Sequence, residues 1–433
     1  MLKITLIIFQ FLLLLILLSL VFSNPFIVSF DIDDLKYSIT SNLFFGLIIS
    51  LFFIVYLLLY LFFKSRLTLN KFFLKKKYSK LEKGYNHFVQ AMIAIANKDN
   101  KTATISHKKM NNYLKNSPSL SLLLKSEVFK IEKKYVELSN VYEDMIKSTK
   151  TEALGYRGLM ELYLNDQDYH HAFLYGEKLF NLNPNIEKLY ETLIFIAAKT
   201  KNWNQIILIS DKAYSKRIID KELLNLNKSI AYYEISKIKL DSDYKQAQKN
   251  IIKAIDLRKN FAPYIKVYLE ILEKQNNLTL LKKNIKKFWY MNPNSILRKV
   301  LIQVIINSKL DTLEFIYQVI KNNLDNSESK KLLVFFAIRN QDWQVAREKI
   351  TGLIGKDPTK EICIFMSEIE LGESNDKQKS DAWIMRSQNA KQETKWICKI
   401  TNQVYDDWQP ISNSGHFNSL VLYNPKMLDS IVN

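Results

Sequence analysis

Few side chains in this sequence have the type and spacing that chemistry requires. His170 and His171 are adjacent imidazoles, the commonest metal- and haem-ligating side chains. Neighbours on a helix point about 100° apart, so the two cannot grip one ion together, and a solvated helix-end role is expected. His87, His107 and His416 stand alone, and neither HExxH nor CxxCH occurs. Asp31, Asp33 and Asp34 crowd three carboxylates together but lack the glycine and later glutamate of a calcium loop. Asp406 and Asp407 have no nucleophile or base beside them. The GYRG of residues 155–158 lies within a helical pattern, where it cannot cradle a pyrophosphate. Cys363 and Cys398 are too few for a disulfide framework or a four-thiolate zinc site and read as free thiols of a reducing compartment. No GxSxG, P-loop or kinase signature is present. The expectation is no catalytic residue, no metal, no cofactor and no enzymatic activity.

What these residues ride on is a repeat. From Ala153, the residues Tyr156, Leu159, Tyr163, Tyr169, Ala172 and Pro184 occupy positions 4, 7, 11, 17, 20 and 32 of a 34-residue unit. From Glu187, Tyr190, Leu193, Ala197, Trp203, Ile206 and Ala213 occupy 4, 7, 11, 17, 20 and 27. Large residues at 4, 7 and 11 make an apolar helical stripe, a small residue near 20 admits a second helix closely, and proline at 32 ends it. This is tetratricopeptide spacing. Further units follow around Tyr244, Leu278, Thr312 and Trp343, with an insertion of about seven residues near 229–243. Such units bury their stripes only by stacking. The fold class is therefore all-α, a tetratricopeptide-like α-solenoid of about 7–8 helix pairs over 84–389. A short irregular tail, 390–433, is expected to fold back on the last repeat through Trp396, Trp408 and Phe417.

Ahead of the repeats lie two apolar runs, 4–22 and 43–63, each long enough to cross a hydrocarbon core. They predict a transmembrane hairpin over 1–63 with a short outer loop, then a basic juxtamembrane linker over 64–83. The loop carries Lys36 against three aspartates, whereas Lys64, Arg66, Lys71, Lys75, Lys76, Lys77, Lys80 and Lys83 follow the second run. That asymmetry places the loop outside and both termini on the cytoplasmic side of the membrane, with Lys75, Lys76 and Lys77 at the anionic surface. The net charge is +19. With no recognition-helix, zinc-finger or RNP-type signature, nucleic-acid binding is not expected.

The apolar hairpin with its "FDIDDLKYSIT" loop comes first, and "KGYNHFVQAMIAIANKDNKTA" follows the basic flank. Next come "EALGYRGLMELYLNDQDYHHA" and the tail "TKWICKITNQVYDDWQPISNSGHFNSLVLYNP". In that order they resemble HemY-type membrane proteins, the tetratricopeptide family associated with haem biosynthesis in proteobacteria. In some members the tail resembles a zinc ribbon with two CxxC pairs. Here only Cys398 remains, with Thr401, Ser412 and Ser414 or Gly415 where further thiolates would sit, so no zinc is expected. The resemblance implies an inner-membrane scaffold for ferrochelatase and other late haem-biosynthetic enzymes. Alternatives are an adaptor for envelope or lipopolysaccharide assembly, and direct binding of porphyrin or haem. A homo-oligomer is left open.

In a tetratricopeptide solenoid, positions such as 5, 9 and 13 of each first helix line a groove. That register selects Arg157, Glu161 and Asn165, then Glu191, Phe195 and Lys199. Lys266, Glu270 and Lys274 follow, then Lys331, Phe335 and Arg339. The groove so built is basic-leaning with aromatics interleaved, suited to an acidic peptide.

Overall fold

The computed structural model describes residues 26–423 apart from 33–34, 116, 356–357 and 392, together with isolated positions before residue 24. The first expected span, 4–22, lies largely outside the described residues. The chain divides into two compact units, Met1–Lys134 and Tyr135–Asn433.

In the first unit, strands β1 (Ile27–Ile32) and β2 (Leu35–Thr40) pair antiparallel, from Ile27 opposite Thr40 to Ile32 opposite Leu35. The expected outer loop is thus a β-hairpin, favoured by its alternating β-branched and aromatic residues. Helix α1 (Ser41–Ala96) follows directly. Among the described residues it is the one helix long and apolar enough to cross a membrane. Residues 64–83, expected as a linker, are helical throughout, because no glycine or proline interrupts the chain between Gly46 and Gly84. Near the end of α1, Leu81, Phe88, Ala91 and Ile95 pack with Met110, Leu114 and Leu124 of the segment spanning α2 (Asn100–Tyr113) and α3 (Pro118–Ile131).

The second unit opens with α4 (Tyr135–Ile146) and continues as seven successive helix pairs. They are α5 (Glu152–Asn165) with α6 (Tyr169–Leu182), α7 (Leu189–Lys199) with α8 (Trp203–Ser215), and α9 (Lys221–Lys239) with α10 (Tyr244–Leu257). Then come α11 (Ala262–Lys274) with α12 (Leu278–Met291) and α13 (Ser295–Asn307) with α14 (Leu313–Ile320). The last are α15 (Ser327–Arg339) with α16 (Trp343–Thr351) and α17 (Lys360–Ser374) with α18 (Lys377–Gln388). From α9 onward, each first helix lies against the first helix of the next hairpin. The seven-residue excess is absorbed by lengthening α9 to 19 residues.

The turn inside most hairpins has one local cause. Gln167, Lys201, Asn276, Lys309, Gln341 and Asn375 adopt left-handed φ of 53–60°, which ends the first helix. An Asp or Asn cap then starts the second: Asp168, Asn277, Asp342 and Asp376 accept the backbone N–H three residues on, at 3.0–3.1 Å. The small residues of the repeat do their packing: Ala172, Ala213 and Ala346 are wholly buried, as are Leu159, Leu193 and Ile206. Gly158 permits a close approach, since a Cβ there would lie 2.4 Å from the ring of Tyr142 on α4.

The tail departs from expectation. It is not irregular: β3 (Lys395–Cys398) pairs antiparallel with both β4 (Val404–Tyr405) and β5 (Leu420–Tyr423), giving the order β4-β3-β5. Trp396 lies opposite Tyr405 on one side and Leu422 on the other. Its start at Lys391 bonds the Lys360 N–H of the last repeat, but Trp396, Trp408 and Phe417 do not pack there. The end hairpin offers a polar α18, whereas aromatic surface is available in the middle of the stack, and the tail docks there.

Candidate partner-binding groove

The docking site is an aromatic box on the first-helix face. Tyr233 of α9, Tyr264 of α11 and Phe261 just before α11 surround the indole of Trp408. Their ring centroids lie 5.4, 5.9 and 5.0 Å from it, at interplanar angles of 67°, 75° and 89°. Edge-to-face packing of this kind matches the positive ring edge to the negative ring face. Phe261 also meets Trp396 edge-on at 5.9 Å. Trp396 and Trp408 are 4 % and 6 % exposed, so the tail contributes core rather than fringe. At the other end of the tail, Ile411 and Phe417 pack on the hydrophobic cluster built by α7, α8 and α9. Gly415, at φ +86°, lies against the Lys199 side chain: a Cβ there would stand 2.6 Å from Lys199 Nζ.

Beside Trp408 a cleft of about 260 Å³ remains, lined by Tyr233, Lys237, Lys266, Glu270, Trp396 and Asp407 among others. Burial pushes the Glu270 carboxyl above its ordinary value, against the opposing pull of Lys266, Lys274 and Lys237. Glu234 is raised in the same way, with Lys237 opposing. Burial also pushes the Tyr264 phenol up to about 12, even though its oxygen lies 3.0 Å from Ser229 Oγ. The Arg258 guanidinium stacks 3.5 Å from the Phe261 ring centroid, and burial lowers it from its ordinary value. The box is therefore aromatic, partly desolvated and flanked by lysines. It encloses one flat apolar ring, the Trp408 indole, with lysines and the Glu270 carboxyl beside it.

The positions selected from the repeat register have different fates. Lys199 and Lys266 meet the tail. Lys199 is exposed and stands 5.8 Å from the Phe195 ring centroid, and Lys266 is half-buried in the cleft. Arg157 is exposed and pairs within its own helix with Glu161 at 2.9 Å, while Asn165 is exposed at the end of α5. Lys274 binds Asp241 of the preceding turn at 2.6 Å, and Arg339 binds Asp311 at 3.1 Å. Phe335 is half-buried against Phe336 and Phe365. Lys331 is no groove residue: it is 7 % exposed and bonded to Glu328 at 3.1 Å. It belongs to a buried cluster in which Arg298 of α13 binds Glu361 of α17 through both terminal nitrogens at 2.5 Å. Arg298 Nε also binds Glu328 of α15 at 2.8 Å. Register alone counted Lys331 as open because it does not show that Glu328 of the same helix and Glu361 of the next hairpin close over it.

Lys75, Lys76 and Lys77 are exposed on α1. His171 Nδ1 donates to the Asp168 carboxylate at 2.7 Å and the ring stacks on Tyr163 at 5.0 Å, while His170 is exposed. Cys398 is buried with its thiol 3.3 Å from Ser419 Oγ. Burial raises this thiol, but hydrogen bonding with Ser419, Thr401 and the backbone of Ile400 and Thr401 outweighs it and brings it to about 6. Among the described residues no group of three or more His, Cys, Asp and Glu side chains is placed to hold a metal ion. The register missed Tyr233, Phe261 and Tyr264. The only hint was the crowding of aromatics on both sides of Pro263 and in the tail.

No family model matches the sequence, and no curated protein matches it. Several solved structures are similar at low identity. The TPR2AB-domain:pHSP90 complex of yeast Sti1 shares 10% identity over 71% of this chain and 98% of that one, at a TM-score of 0.30. A tetratricopeptide repeat protein from Parabacteroides merdae shares 11% over 57% and 93%, at 0.28. Naa15/Naa10 bound to HypK-THB shares 15% over 72% and 50%, at 0.38.

Proposed function

We propose that this chain is an inner-membrane-anchored helical-repeat scaffold that binds other proteins on its first-helix face and gathers late haem-biosynthetic enzymes. The observation that carries the binding role is that this face already holds a polypeptide segment, the chain's own tail, through an aromatic box flanked by lysines. Membrane anchoring is supported by α1, whose apolar residues 43–63 are exposed and whose last turns pack within the helical first unit. The basic residues of 64–83 support the cytoplasmic placement of the end of α1. The haem role is supported by the resemblance to HemY-type proteins. A scaffold of this kind shortens the path of a reactive, poorly soluble porphyrin between consecutive enzymes.

The test is crosslinking and affinity capture of the full chain from solubilised membranes, with Lys199→Glu and Lys266→Glu as the paired control. Capture of ferrochelatase or a porphyrinogen oxidase, released by the charge reversals, is the expected result. Capture of envelope-assembly factors in their place overturns the haem role. Capture that ignores the reversals overturns the assignment of the face.

A further inference from the structure

We propose that Asp407–Trp408 is an internal ligand, and that the same seat takes an acidic residue followed by tryptophan from a partner protein that displaces the tail. The proposal rests on the scaffold reading above and names the partner's recognition chemistry. Three observations converge on it. The indole of Trp408 is held edge-to-face by three rings at 5.0–5.9 Å, which only a large flat side chain satisfies. Asp407 lines the same cleft as Lys237, Lys266 and Glu270, so a carboxylate one residue before the indole has two lysines to face beside one other carboxylate. The internal ligand also fits imperfectly. Trp408 Nε1 is buried with no acceptor among the described residues, and a cleft of about 260 Å³ stays open beside it. An unpaired buried donor weakens docking, so a segment that offers an acceptor and fills the cleft binds better.

The tail is also arranged so that this segment can leave. Residues 406–418 lie between β4 and β5, and their antiparallel bridge, Ile411 opposite Phe417, is internal to the segment rather than to the sheet. Their backbone is held by local bonds such as Gly415 N–H to the Ser412 carbonyl at 2.7 Å and Ser412 N–H to the His416 carbonyl at 2.9 Å. Asp407 itself is exposed. Because the tail and a partner compete for one seat, the apparent affinity for the partner is the intrinsic one multiplied by the fraction of molecules with the tail undocked.

The experiment uses the full chain in detergent micelles and a fluorescent peptide with the sequence of residues 403–412, followed by anisotropy. The peptide is expected to bind Trp408→Ala at least about tenfold more tightly than the unaltered chain. It should bind Asp407→Lys about fivefold more tightly, because repulsion from Lys237 and Lys266 loosens the tail without touching the core. Adding Lys266→Glu to either variant should reverse most of the gain, and a peptide with Ala for Trp should not bind. Equal affinity for Asp407→Lys and the unaltered chain, or undiminished binding of the Ala peptide, overturns the proposal. So does a doubled mass in light scattering, which would mean that two copies exchange tails. Protein capture that persists in excess peptide overturns this inference and leaves the scaffold reading standing. Peptide binding as expected, with no protein captured from membranes, does the reverse.

Discussion

Replacing Arg298 with alanine is the most informative single change to this fold. Its guanidinium is fully buried. It makes a two-pronged contact with Glu361 at 2.5 Å and a third bond to Glu328 at 2.8 Å, joining α13, α15 and α17. Burial works against its charge, yet Glu361 and Glu328 more than offset this, and the group is held above its ordinary value. With Lys331 the cluster holds two cations and two carboxylates and is neutral. Arg298→Ala leaves one cation with two carboxylates whose side chains are only 16% and 19% exposed. Removing one partner from a buried pair costs about 3–5 kcal/mol, chiefly through the stranded charge. Arg298→Lys keeps the charge but loses the fork and should cost less, about 1–2 kcal/mol. In a repeat stack the loss falls on the neighbouring hairpins, so hydrogen exchange should rise over residues 295–388 and little over 152–215. Urea unfolding of the full chain in micelles gives the magnitude. A loss below about 1 kcal/mol, or uniform loss of protection along the chain, refutes the reasoning. The acid side carries a sign. Burial pushes Glu328 up, but Arg298 and Lys331 outweigh it and hold its carboxyl below its ordinary 4.5. The stability it contributes is therefore present above that value and is lost as pH falls through the lower folded value.

Three further outcomes follow from the same geometry. Gly158→Ala should destabilise by about 1–3 kcal/mol despite alanine's better helix propensity, because its Cβ would press into the Tyr142 ring; a raised thermal midpoint would contradict this. Asp342→Ala removes the acceptor for the Val345 N–H at 3.1 Å and should cost about 1 kcal/mol in urea unfolding, with Asp342→Asn nearly neutral. Tyr264 has a folded value raised to about 12 from an ordinary 10, so its contribution is fully present below pH 10 and is lost as pH climbs toward 12. Absorbance titration should show this delayed phenol, and Trp408→Ala should bring it back toward 10 by admitting water to the box.

Much of the architecture was legible in the residues. The 34-residue spacing of Tyr156, Leu159 and Ala172 with their counterparts Tyr190, Leu193 and Ile206 is a local signal, since each hairpin closes on its own turn. The turn chemistry is local too: a left-handed residue and an Asp or Asn cap sit side by side at Gln167–Asp168 and Gln341–Asp342. The exposed apolar turns of α1 were equally plain from composition.

The site was less legible because its parts are distant in sequence. Repeat register placed Lys199 and Lys266 on the first-helix face, but not what covers them. It also placed Lys331 on that face, though carboxylates of its own and a later hairpin enclose it. The tail read as irregular because β4 is two residues long and its partners lie across loops. Sequence alone therefore determined the helical hairpins and the long apolar helix, whose stabilising bonds run between residues a few positions apart. Only the tertiary structure decided that Trp408 fills the box of Tyr233, Phe261 and Tyr264. That choice depends on which distant surface buries the most aromatic area, and no local spacing encodes it.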